Sequence, residues 1–256
     1  MGSSSGAGAV SASDGQRAPR PAFYALGPGG WREYVTLLHL PYTAWHLAYV
    51  VVGGCLAATV HWWTLALTVA AFALAMGVGA HALDELDGRP LATSIPSRVL
   101  VGLAVVSVAA AAAIGIVVAL ERTLWILPLV AAGVVLVPAY NLALFGGRVH
   151  TDVGFALAWG AFPVVTAFVA QTGTIRAAAI LAAVWATLLS LAQRRLSHVV
   201  RRLRRSVDAV DGHLQLADGT TEPVTRELLM RAPEGALRLL AAATVVLAVA
   251  LVALRL

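Results

Sequence analysis

The chain has 256 residues, 59% of them hydrophobic and 12% charged, with a formal net charge of +5. Soluble domains run to about 45–50% apolar residues, so this composition, with a mean hydropathy of +0.82, excludes a soluble phosphatase, kinase or DNA-binding protein. Every basic residue is Arg, and in so apolar a chain the basic excess reads as membrane topology and anionic-lipid contact, with no nucleic-acid partner.

Residues 1–30 are rich in Gly, Ser and Ala and lack a contiguous apolar core, which predicts a disordered cytoplasmic tail and not a signal peptide. Seven apolar stretches then approach the roughly 20 residues that span a bilayer, near 37–58, 62–83, 98–120, 123–144, 153–171, 175–196 and 235–255. The first begins with His39, Tyr42 and His46 at i, i+3 and i+7. Such a polar stripe on a membrane helix should face the protein interior, although Tyr42 and Trp45 suit an interfacial belt equally well. The single cysteine, Cys55, can form neither an intrachain disulfide nor a metal-binding pair. The second stretch opens at His61-Trp62-Trp63, an interfacial anchor by its chemistry.

That second stretch ends in a polar island, His81-Ala-Leu-Asp84-Glu85-Leu-Asp87-Gly-Arg89-Pro90. His81, Asp84 and Glu85 share one helix face. Asp87 follows one turn later, where Gly88 and Pro90 stop the helix. Ionisable groups at the mouth of a membrane bundle are costly and mark function. Clustered oxygen donors suit Mg²⁺, which takes one or two carboxylates together with substrate phosphates. His81, Asp84, Glu85 and Asp87 are therefore the metal candidates, and Arg89 and Arg98 can meet further phosphate oxygens. The competing reading is a solvated loop that is charged because it touches water.

A second island, Tyr140 to Asp152, joins the fourth and fifth stretches. Arg148 and His150 can face the first island, and Tyr140 and Asn141 sit deeper; an Asn in such a helix commonly hydrogen-bonds a neighbouring helix. After the sixth stretch, Gln193–Arg205 is a basic amphipathic helix with Leu196, Val199, Val200 and Leu203 at helical spacing. Val207 to Pro223 alternates and carries two Asp-Gly punctuations, which predicts a small hairpin outside the membrane. The predicted organisation is a tail (1–30), a transmembrane bundle ending in the basic helix (31–200), a cytoplasmic amphipathic and hairpin segment (201–233) and a last transmembrane helix (234–256). With the N-terminus in the cytoplasm, Arg17, Arg20, Arg32, Arg89, Arg98, Arg148 and the group from Arg194 to Arg238 share one side, against Arg122, Arg176 and Arg255 on the other. By the positive-inside rule this predicts a multi-pass protein of the cell inner (plasma) membrane with a cytoplasmic N-terminus.

The run from Gly79 to Ser97 resembles the first motif of the UbiA superfamily of intramembrane prenyltransferases, in which an Asn-Asp-x-x-Asp core is followed by Arg-Pro-(Ile/Leu). Asp84 matches the second Asp of that core, His81 occupies the place of the first, and Asp87, Arg89, Pro90 and Leu91 follow in order. The second island is similar to the family's Tyr-x-x-x-(Lys/Arg) region, and the resemblance covers about residues 32 to 200. It implies an all-α, polytopic bundle of about seven transmembrane helices around a cavity open to lipid. It also implies Mg²⁺ on His81, Asp84, Glu85 and Asp87, holding the diphosphate of a prenyl diphosphate or another isoprenoid lipid. Arg89, Arg148 and Arg194 would add positive charge, and Asp84 and Tyr140 would be the catalytic groups. His39, His46, Asn141, His150 and Asp152 would complete the cavity. The chain departs from the family where a second Asp-x-x-x-Asp motif belongs: the arginine-rich helix stands there, followed by Asp208-Ala-Val-Asp211. Two other readings share the pattern. One is a membrane terpene cyclase of the same fold with Asp84 or Glu85 as its acid. The other is a non-catalytic lipid-binding protein contacting anionic lipid through Arg194–Arg205.

Overall fold

A computed structural model describes residues 21–256; the predicted tail over residues 1–20 lies outside the described residues. The chain forms a short helix α1 (Trp31–Leu37), then α2 (Leu40–Cys55), α3 (Trp62–Leu86), α4 (Ser97–Glu121), α5 (Ile126–Asn141), α6 (Asp152–Thr172), α7 (Ala177–Arg205) and α8 (Arg226–Arg255). Between α7 and α8, β1 (His213–Gln215) pairs antiparallel with β2 (Thr221–Pro223), setting Leu214 opposite Glu222. This is the hairpin that the alternation predicts, and Gly219 supplies its left-handed turn residue at φ 85°.

Five helices (α3, α4, α6, α7 and α8) are long and apolar enough to cross a membrane, and α1 with α2 makes a sixth if that bent pair is one span. The bend is 44°. It falls at His39, which adopts a left-handed φ of 47°, just before Pro41 in the first turn of α2, where the missing proline N–H costs nothing. α5 has 16 residues, a rise of about 24 Å against a hydrocarbon core of about 30 Å. The sixth apolar stretch and the basic helix are one continuous helix, α7, whose last three turns run past its apolar part. Likewise α8 crosses the expected boundary at 233 without a break.

Consecutive helices pack side by side, α8 closes back onto α2, and α2 also lies against α6. α2 is the core of the bundle: Trp45, Tyr49 and Val50 are fully buried. Trp45 is thus no interfacial residue; its indole N–H donates to the Tyr49 hydroxyl at 2.7 Å. The outer faces are apolar instead. Val106 on α4 is 68% exposed, Leu181 on α7 70% and Val246 on α8 66%. Contiguous apolar surface of this kind is what lipid, not water, tolerates. Trp62 and Trp63 are both exposed at the start of α3.

Small residues set the closest approaches. A Cβ at Gly160 on α6 would stand 2.7 Å from the Ala186 carbonyl oxygen and from Ser190 Oγ on α7. Gly160→Val should therefore push α6 off α7 and destabilise the protein by about 1–3 kcal/mol. By contrast Gly102→Ala, where nothing lies within 4 Å, should be neutral or stabilising because it only restricts the unfolded chain. Thermal unfolding in detergent reads both.

Two helices carry a widened turn with i→i+5 bonding, Ala73–Ala80 within α3 and Leu157–Ala161 within α6. Such turns concentrate at functional sites because they release carbonyl groups and re-aim side chains. Both border the same cavity.

Candidate functional site

The loop between α3 and α4 is built by two buried carboxylates. Glu33 on α1 accepts from the Ser94 backbone N–H at 3.0 Å and its hydroxyl at 2.7 Å, and from Gly29 N–H at 3.0 Å. Glu85 is fully buried and accepts from Leu91 N–H at 2.8 Å, Thr93 N–H at 2.8 Å and the Thr93 hydroxyl at 2.9 Å. Arg89, at a left-handed φ of 52°, turns into the same loop and donates to the Ile95 carbonyl and to Ser97 Oγ. Glu85 and Arg89 thus organise the loop and do not line the cavity, which corrects their assignment to metal and diphosphate. Sequence reasoning missed Glu33, whose partner lies 61 residues away.

Above α3 and between α2, α5, α6 and α7 opens a cavity of about 380 Å³. The predicted residues His39, His46, His81, Asp84, Asp87, Tyr140, Asn141, His150 and Arg194 all line it. Arg148 does not; it is exposed beyond α5, which removes it from the predicted diphosphate set. Asp152 is also outside the lining. It pairs with Arg194 at 2.9 Å and holds that guanidinium, which also sits over the Phe155 ring. Asp208 and Asp211 stand exposed beyond α7, away from the lining.

Three histidines are fixed by carbonyl oxygens. His46 Nδ1 donates to Trp159 O at 2.8 Å, His81 Nδ1 to Gly77 O at 3.1 Å, and His150 Nδ1 to Tyr140 O at 2.7 Å. Trp159 and Gly77 belong to the two widened turns. In its neutral form each ring then carries its proton on Nδ1 and leaves Nε2 unprotonated. His39 stacks on His81 with ring centroids 4.1 Å apart and accepts at Nδ1 from the Tyr24 hydroxyl at 3.0 Å. Burial, reinforced by Tyr42, pushes the Tyr24 phenol well above its ordinary range, so it keeps its proton and donates.

The strip Pro21–Tyr24, expected within the tail, also lines the cavity. Ala22 and Ala25 pack on Leu91, Phe23 lies under the Arg238 guanidinium at 4.8 Å, and Arg205 donates to the Pro21 carbonyl at 3.4 Å.

Apart from Tyr24, the polar lining residues that sequence reasoning missed lie on α7. Gln193, Ser197, Arg201 and Arg205 recur every four residues, a stripe legible in hindsight as one helix face. Arg201 makes no hydrogen bond or ion pair among the described residues, although its charge and that of Asp84 act on each other. The Tyr140 hydroxyl and the Gln193 amide oxygen are buried without a partner among the described residues. Beneath the polar cavity lies an apolar chamber of about 90 Å³ between α3, α4, α5 and α6, and Met76 and Trp159 form walls of both.

The donor set does not fit a resident magnesium ion. Glu85 is engaged by the loop, Asp87 is exposed at the rim, and among the described residues Asp84 is the only other carboxylate of the lining. Among the described residues no three His, Cys, Asp or Glu side chains converge on one point. Imidazole is a poor donor to so hard a cation, and three guanidinium groups share the space. Fold and site together define an all-α helical bundle of membrane-spanning proportions with a polar cavity at one end. Comparison of the chain with known protein families, curated proteins and solved structures finds no match.

Proposed function

We propose that the chain is a multi-pass membrane enzyme of UbiA type that acts on an isoprenyl diphosphate at the cytoplasmic end of its bundle. The observation carrying this reading is a continuous change of polarity. Arg194, Arg201 and Arg205 face Asp84 across a polar cavity that shares Met76 and Trp159 with an apolar chamber below it. An amphiphile with an anionic head and a hydrocarbon tail matches both compartments.

In the proposed reaction the bond between the allylic carbon and the diphosphate oxygen breaks, and both electrons stay on the diphosphate. The guanidinium groups and the Tyr140 hydroxyl stabilise that developing charge. The ring of Trp159, which packs edge-on against Tyr140 and forms a wall of both compartments, stabilises the allylic cation. A nucleophilic acceptor then forms the new bond, and its proton passes to Asp84.

The test is release of inorganic diphosphate from isoprenyl diphosphates by the purified protein in the presence of lipophilic acceptors. Turnover with an alkylated acceptor supports the reading. Recovery of unchanged donor with every acceptor tried overturns it in favour of a lipid-binding role. A protonation-started cyclase is favoured as the second reading by the lack of fit to magnesium, and it would give a cyclised product that still carries its diphosphate.

Tyr140→Phe separates binding from folding. Its hydroxyl has no partner among the described residues, so thermal stability should not fall. A hydrogen bond to a charged oxygen is worth about 1.5–3 kcal/mol, so turnover should drop roughly 10- to 100-fold. A lowered melting temperature with unchanged turnover would contradict this role.

A further inference from the structure

We propose that this cavity grips a phosphate or diphosphate anion directly through guanidinium groups, centred on Arg201, with no divalent cation between them. The inference deepens the reading above and rests on the same site. α7 puts three arginines into the lining, and two of them are already held in place. Arg194 is anchored by Asp152 at 2.9 Å, and Arg205 leans on the Pro21 carbonyl at 3.4 Å. Arg201 between them is half-buried and makes no hydrogen bond or ion pair among the described residues. A guanidinium carries five N–H donors in a planar fork that matches two phosphate oxygens at once. Leaving such a fork unpaired on a half-buried side chain is costlier than in bulk water, and an anion removes the cost.

Two more unpaired groups line the same cavity. The Tyr140 hydroxyl and the Gln193 amide oxygen belong to residues 3% and 4% exposed and have no partner among the described residues. The hydroxyl can donate to an anionic oxygen, and the amide oxygen can accept from a protonated one. Arg194 is already paired with Asp152, which leaves Arg201 and Arg205 beside Asp84 and Asp87, so it is the unpartnered fork of Arg201 and not a net charge excess that offers the anion its hold. A magnesium–diphosphate complex brings its own cation and takes one or two carboxylates, whereas here Asp84 already faces three guanidinium groups and Asp87 is exposed at the rim. A bare diphosphate needs the arginines that are present.

The test is calorimetric titration of the full chain in detergent with inorganic diphosphate, in EDTA and in Mg²⁺. Binding in EDTA should lie within about threefold of that with the metal, since charge-assisted hydrogen bonds need no cation bridge. Arg201→Ala should weaken it at least about tenfold and Arg201→Lys should restore part of the loss, as a point charge replaces a fork. Arg195→Ala removes the same charge from an exposed position outside the lining and should leave binding unchanged. Binding that appears only with Mg²⁺, or an equal loss in Arg195→Ala and Arg201→Ala, overturns the proposal. An isoprenyl diphosphate that binds more tightly than inorganic diphosphate assigns the anion to a lipid head, and equal affinity assigns it to the free ion; both retain the guanidinium grip. Diphosphate binding in EDTA without turnover would sink the catalytic reading and keep this one. Turnover strictly dependent on Mg²⁺ would do the reverse.

Discussion

An Asp84→Asn protein is expected to insert and fold normally, to bind diphosphate more tightly than the parent, and to lose at least about a hundredfold in turnover. The three effects have one origin. Asp84 makes no hydrogen bond or ion pair among the described residues, so an amide of the same shape removes nothing that holds the bundle together. Its charge, however, opposes Arg194, Arg201 and Arg205 across the cavity. Neutralising it leaves those cations to the ligand and strengthens the ground-state grip. The same change removes the carboxylate proposed to take the acceptor's proton, so the chemical step slows. Lower turnover with tighter binding is the signature of a group acting in the reaction and not in recognition. The measurements are melting temperature, diphosphate affinity and steady-state turnover of one preparation. Unchanged turnover would remove Asp84 from the reaction, and weakened diphosphate binding would make it a ligand-holding group.

Glu85→Ala should fail in the opposite way. Its carboxylate takes three hydrogen bonds from the loop after α3 and is fully buried. Truncation leaves the Leu91 and Thr93 backbone N–H groups buried without an acceptor, at about 1–3 kcal/mol each. A loss of roughly 3–5 kcal/mol is therefore expected, comparable to breaking a buried charged network. It should register as a lower melting temperature and as new proteolytic cleavage between Asp87 and Pro96. Glu85→Gln should fall between, since an amide offers one acceptor oxygen where two are used. If Glu85 served a metal or a phosphate instead, the loop would keep its stability and only ligand binding would suffer. Asp84 and Glu85 are adjacent, and the helix turns one to the cavity and the other to the loop.

That pair also shows what was legible in the sequence. Helical spacing put His81, Asp84 and Glu85 on one broad face, and hydropathy placed the apolar helices, because both follow from local periodicity. The cavity residues at the starts and ends of α2, α3, α5 and α6 were readable for the same reason. The roles of Glu33, Glu85 and Arg89 were not, because each is decided by a partner in a loop whose path no periodicity encodes. Arg201 and Arg205 were visible as charge, yet a basic amphipathic helix reads first as a lipid contact. Only the continuity of α7 into the bundle, and the docking of that helix beside α6, turns its Gln193, Ser197, Arg201 and Arg205 stripe inward. The strip at Pro21–Tyr24 was unreadable because it forms no regular element. It is held by Leu91, Arg205 and Arg238, all distant in sequence. The non-local ion pair between Arg204 and Glu234, 2.7 Å from Nε to the carboxylate, fixes α7 to α8 in the same unheralded way.

The most direct test is an experimental structure of the full chain with an isoprenyl thiodiphosphate, a donor whose ionisation is slowed. The expected result is a diphosphate head within hydrogen-bond distance of Arg201 and the Tyr140 hydroxyl, with its tail passing between Met76 and Trp159. A head bound instead at the Arg89 loop or beside Arg148, with the cavity empty or filled by side chains, would contradict the assignment of this cavity.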